Sequence, residues 1–173
     1  MTDELWSETV GLAEVSRGPV TRVIEADEAA RKRIARALNL DQLDALEARV
    51  TLEAWMDGAE LDGRWTASIE QTCGVTLERF ATELEGAFLV RVVPAGSPNA
   101  PREEGQEIAV DPEGDDPPDV LEAEDVDIAG YVVEHLALEI DPFPRKPGVE
   151  WSAPPPEEPE SPFAVLKGLK GEG

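Results

Sequence analysis

From Leu46 to Met56 hydrophobic and polar side chains alternate, with Val50, Leu52, Ala54 and Met56 on one side and Thr51 and Glu53 on the other. An extended chain points successive side chains to opposite faces, so this pattern predicts a half-buried strand. Asp57-Gly58 and Asp62-Gly63 follow as two turn signals in quick succession. From Trp65 the odd positions carry the apolar set: Trp65, Ala67, Ile69, Cys73, Val75 and Leu77. After it the even positions take over with Phe80, Leu84, Phe88, Val90 and Val92. A period of two cannot change parity without a turn or a bulge, so a junction between two strands is expected between Cys73 and Phe80.

Two stretches change period. Ala26 to Leu38 places Ala30, Ile34, Ala37 and Leu38 near helical spacing, with Asp27 as cap and Asn39 as stop. Val126 to Ile140 does the same with Ile128, Tyr131, Val132, Leu136 and Ile140, capped by Asp125 or Asp127 and ended by Pro142. Pro19 to Ile24 is short and β-rich. The predicted class is α+β: a mainly antiparallel sheet with helices packed on one face, a long acidic loop and a flexible C-terminal tail. Residues 1–150 form the expected single domain. Residues 151–162 read as a Pro/Glu-rich linker, and residues 163–173 as a short apolar-basic tail.

Charge alters this picture. The 173 residues hold 38 acids against 15 bases, a net charge of −23, which disfavours approach to a nucleic-acid backbone unless a local basic patch or a protein intermediary provides it. The acids crowd between Pro101 and Asp127, so an acidic mobile loop is expected over about residues 95–124. The N-terminal stretch has neither a basic segment nor an apolar run, and no apolar run approaches the roughly 18 residues of a membrane span. The expected location is the cytoplasm, without a membrane partner.

The scarce residues carry what chemistry there is. Cys73 is the only cysteine and His135 the only histidine. A structural zinc site takes four thiolate or imidazole ligands, often as C-x-x-C pairs, and the position three after Cys73 is Thr76. Neither a metal nor another cofactor is expected. A Cys–His nucleophilic pair would need Cys73 beside His135 with Glu134 or Glu139 orienting the ring. The alternative is that Cys73 is an inward-facing core residue and His135 a helix residue at the core's edge, both structural. There is no glycine-rich phosphate loop, no G-x-S-x-G and no H-E-x-x-H, so no catalytic residue is assigned and the expectation is a non-enzyme.

Among the bases, Arg31, Lys32, Arg33 and Arg36 cluster on the first predicted helix, and Arg145-Lys146 follow the second. These are candidate contacts to RNA or a partner, against the alternative of long side chains covering an apolar seam. In the tail, Phe163, Leu166 and Leu169 with Lys167 and Lys170 form a candidate partner-docking segment.

Three stretches together resemble one family. The junction TCGVTLERF is similar to the segment in which many YceD-family proteins carry a C-x-x-C. The stretch VDIAGYVVEHLALEIDPFPRKPG resembles that family's aspartate-led helix and proline-ended turn. The ending SPFAVLKGLK resembles its C-terminal signature. The resemblance runs from about Ser68 to the end, and Thr76 departs from it where the second cysteine would stand. It implies a non-enzymatic role in the synthesis, processing or stability of 23S ribosomal RNA, with ribosome-assembly proteins or large-subunit precursor rRNA as partners. A competing reading is an acidic module that occupies a basic protein surface. A third is a thiol-dependent enzyme built on Cys73.

Overall fold

The computed structural model describes residues 5–101 and 116–150. The central part of the expected acidic loop, the linker and the tail with Phe163, Leu166, Lys167, Leu169 and Lys170 lie outside the described residues. In chain order the elements are β1 (Thr9–Gly11), α1 (Leu12–Val15), β2 (Val20–Glu25), α2 (Glu28–Ala37), β3 (Gln42–Trp55), β4 (Gly58–Thr72), β5 (Arg79–Pro94), β6 (Asp119–Leu121), β7 (Asp125–Asp127) and α3 (Ile128–Glu139). The main sheet has the order β2-β3-β4-β5-β6, antiparallel except for the short parallel β5–β6 edge. β1 and β7 pair antiparallel as a separate ribbon.

One face of the sheet supplies the core. Leu46, Ala48, Val50 and Leu52 of β3 and Ala59, Leu61, Trp65, Ala67 and Ile69 of β4 are buried. They share one apolar cluster with Ala30 and Ile34 of α2 and Ile128, Val132 and Leu136 of α3. The opposite face stays open to solvent, the usual partition in an antiparallel sheet. β3 begins earlier than the alternation predicts: a bulge between Leu43 and Ala45 shifts the parity, so Leu43 and Leu46 both point inward.

Both helices follow their caps. The Asp27 carboxylate accepts from Ala30 N at 2.7 Å, and Asn39 closes α2 with φ 54°. Asp127, rather than Asp125, caps α3, accepting from Ala129 N at 3.2 Å and Gly130 N at 3.3 Å. The same oxygen accepts from Glu8 N at 3.0 Å, which ties the β1 strand to the start of α3.

Several expectations are corrected. The inward face of β3 ends at Leu52, since Ala54 and Met56 are exposed. On α2 the buried small residue is Ala35, not Ala37. Leu77 belongs to the turn before β5 and is 78% exposed, with φ 60°. Neither Asp-Gly pair forms a turn by itself. The β3–β4 loop is Met56-Asp57, since Trp55 already pairs with Gly58. Gly58 is small because a Cβ there would lie 1.9 Å from the Val92 carbonyl oxygen. Gly63 sits inside β4, where the Phe88 ring covers it: an added Cβ would be 2.2 Å from Phe88 Cζ. Trp65 covers Gly86 across the same two strands, so each large ring rests on a facing glycine. The acidic stretch is also not loop throughout, for it carries β6 and β7.

Candidate functional site

The structure uses up most of the predicted basic helix. Arg31 Nη1 donates to Ala26 O at 2.7 Å, Lys32 pairs with Glu28, and Arg33 Nε donates to Leu5 O at 3.1 Å. Arg36 alone of the four keeps an unpaired guanidinium among the described residues. Each guanidinium bound to a backbone carbonyl anchors α2 to what precedes it. Three of the four bases thus have partners within the described residues. Arg145 and Lys146 lie far along the chain from α2, in the loop after α3. Lys146 pairs with Glu78 at 2.9 Å, while Arg145 is exposed.

That loop and the β4–β5 turn form one unit around the cysteine. The turn closes through Cys73 N to Glu78 O and Leu77 N to Cys73 O, both 2.9 Å, and Gly74 N donates to Pro144 O at 2.9 Å. The Cys73 thiol is buried but stands outside the main core cluster. Its sulfur accepts from Lys146 N at 3.4 Å and Thr76 N at 3.5 Å. The Lys146 N–H first, then the Thr76 hydroxyl and backbone N–H, stabilise the thiolate and bring the pKa down to about 6 from its ordinary 9.0, against the opposing effect of desolvation. Cys73 is thus more than filler: it staples the turn to the loop. His135 is elsewhere engaged, its ring stacked on Phe88 with centroids 4.5 Å apart and planes 3° apart. No hydrogen bond or ring contact joins His135 to Cys73. Among the described residues no group of three or more His, Cys, Asp or Glu side chains is placed to hold a metal.

The open sheet face holds a feature that sequence reading missed. Arg49 of β3 and Arg64 of β4 are direct cross-strand partners, both exposed. Neither has an ion pair or a side-chain hydrogen bond among the described residues. Across the sheet their row continues to Val23 on β2 and Ala87 on β5. A shallow depression of about 650 Å³ lies over this row, also lined by Glu47, Thr66 and Glu85. By contrast Arg91, on the same face near the hairpin end, is engaged, with Glu60 at 2.8 Å and its guanidinium 5.2 Å above the Trp55 ring. The signal available in the sequence was the hairpin register, which fixes which arginine faces which.

No curated protein and no solved structure matches the chain. Residues 61–170 match the family described as large ribosomal RNA subunit accumulation protein YceD. The match begins in β4, takes in β5, β6, β7, α3 and the loop that covers Cys73, and continues through the tail. It spans more than half of the sequence, and on that ground the chain belongs to the YceD family of large ribosomal RNA subunit accumulation proteins.

Proposed function

We propose that this protein is a non-enzymatic factor required for 23S ribosomal RNA to accumulate, through its synthesis, processing or stability, during assembly of the large ribosomal subunit in the bacterial cytoplasm. Family membership over residues 61–170 is the observation that carries this reading. The non-enzymatic part draws support from how the two scarce reactive side chains are used. Cys73 is bound to backbone N–H groups of its own turn and loop, and His135 is stacked against a core phenylalanine. A nucleophile and its base would instead be within hydrogen-bond reach of each other.

The test is a deletion strain carrying the wild-type gene on a plasmid as control. The ratio of 23S to 16S rRNA and the level of large-subunit precursors are measured with and without it. The reading expects a selective loss of 23S rRNA that the wild-type gene restores. An unchanged ratio sinks it. One observation favours a second reading, an acidic module occupying a basic protein surface, namely the net charge of −23. Recovery of assembly proteins in a pull-down that survives RNase, with normal rRNA levels in the deletion strain, supports that reading instead.

A further inference from the structure

We infer that Arg49 and Arg64 form an anion seat on the open face of the sheet, and that its occupant is a phosphate of the RNA backbone. The inference rests on the reading that the protein acts on ribosomal RNA. Three observations lead to it. The first is the juxtaposition: the β3–β4 register sets the two arginines directly opposite each other, with Cβ atoms of such pairs about 5 Å apart. Like charges so placed repel, and among the described residues neither has an ion pair, the nearest carboxylates on this face being those of the adjacent rows. In a chain with 38 acids two adjacent exposed guanidiniums without a carboxylate partner are an exception that a visiting anion would resolve.

The second observation is the setting. The flanking positions of the row are Val23 and Ala87, which are apolar and exposed, so the guanidiniums stand above a low strip with room beside them. The depression above it is open, as access by a polymer requires. Two planar forks at neighbouring strand positions can each offer paired N–H donors to the oxygens of one phosphate.

The third is the boundary. The next row toward one end carries Glu25, Glu47, Thr66 and Glu85, and toward the other it carries Thr21, Thr51, Asp62 and Leu89. Carboxylates on both sides repel a polyanion laid along the strands. A backbone crossing the strands over the arginine row meets the two cations and runs between the rows that carry the acids. The seat therefore takes one phosphate, and any RNA affinity it gives is modest, with the shallow salt dependence of a single contact.

Fluorescence anisotropy with a labelled oligouridylate and the full-length protein tests this. Wild type is expected to bind at about 50 mM salt, with the affinity falling about two- to threefold by about 200 mM. The double variant Arg49→Thr/Arg64→Thr, with a residue suited to strands, is expected to bind about tenfold more weakly. Its salt dependence should flatten by about 0.7, the contribution of one phosphate of a single strand. Its melting temperature should be equal to or above that of wild type, because the repelling pair is gone. Arg36→Ala and Arg145→Ala, which remove single cations elsewhere, should leave binding within about twofold. Equal losses in all variants would mean diffuse attraction and overturn the seat, as would wild-type binding by the folded double variant. If wild type binds no RNA while the deletion strain lacks 23S rRNA, the seat is refuted and the proposed function stands. If the deletion strain has normal 23S rRNA, the functional reading itself fails. A double variant that binds RNA normally but does not restore 23S rRNA would transfer the arginine pair to a carboxylate-bearing protein partner and again overturn the phosphate.

Discussion

Gly63→Ala is the substitution whose effect the structure determines most directly. An added Cβ would lie 2.2 Å from Phe88 Cζ and 2.4 Å from Cε1. Ordinary carbon contacts are at about 3.5–4.0 Å, so the ring must retreat by more than an ångström. It has little room for that. Phe88 is 6% exposed and its ring is stacked on that of His135. Overpacking of this kind costs about 1–3 kcal/mol, and about 2 kcal/mol is expected here. At about 2–4 °C per kcal/mol for a chain of this size, the melting midpoint should fall by about 4–8 °C. Urea denaturation gives the free energy, and an unchanged slope shows that the unfolded state is the same. The control is Gly74→Ala, where the nearest atom would be Pro144 O at 3.8 Å, and the change should stay within about 0.5 kcal/mol. The decisive comparison repeats Gly63→Ala in a Phe88→Leu background. With the ring gone the penalty should nearly vanish, a coupling of about 1–2 kcal/mol. An equal penalty in both backgrounds would show that strand propensity or twist, not the ring, requires glycine at this position.

Three further outcomes follow from named contacts. Asp127→Ala removes the acceptor of three backbone N–H groups and should lower stability by about 1–2 kcal/mol in the same urea assay, with Asp127→Asn losing less. Cys73 has a folded-state pKa below its ordinary value, so its thiolate adds stability that is complete above the unfolded pKa near 9.0 and disappears as pH falls through about 6. The gap in melting midpoint between wild type and Cys73→Ser should therefore widen from pH 6 to pH 9, and a gap independent of pH would refute the thiolate. Trp65 Nε1 is buried without a hydrogen-bond partner among the described residues, so Trp65→Phe should cost less in urea denaturation than the loss of ring area alone implies, because an unpaired donor leaves with it.

The elements that were legible in the sequence are those whose pattern and chemistry agree. β3, β4 and β5 bury alternate residues against helices, so their period of two survives into the structure. The parity change near Cys73 located their junction. The caps Asp27 and Asp127 were readable because an aspartate before an apolar helical period has few other uses. β1, β6 and β7 escaped notice for the opposite reason. Each has three residues, too few for a period, and each exists only because another strand lies beside it. The Asp-Gly pairs misled because glycine in this sheet answers to neighbours distant in sequence. Gly58 makes room for the β5 backbone and Gly63 for a ring of β5, and neither demand is visible locally.

The same limit acts on the charges and explains why the most conspicuous basic cluster is not the most available one. Arg31 and Arg33 are engaged by the carbonyl oxygens of Ala26 and Leu5, acceptors that every residue carries and that composition cannot count. Arg49 and Arg64 are separated by fourteen residues and look isolated in the sequence. They become neighbours only through the two-residue loop Met56-Asp57. Had the loop fallen on Asp57-Gly58, every partner on β4 would shift by two positions and Arg49 would face Thr66. Placing it on Asp62-Gly63 would dissolve the pairing altogether. At the observed register Gly58 lies against the Val92 carbonyl of the third strand, where a Cβ would not fit. A feature of the open face thus depends on where the hairpin turns. The charge of the whole chain argues against nucleic acid, yet attraction at contact range depends on the few charges within about a Debye length, the cations Arg49 and Arg64 set against Glu47, Asp62 and Glu85 of the adjacent rows. Register, rather than net charge, decides which cations those are.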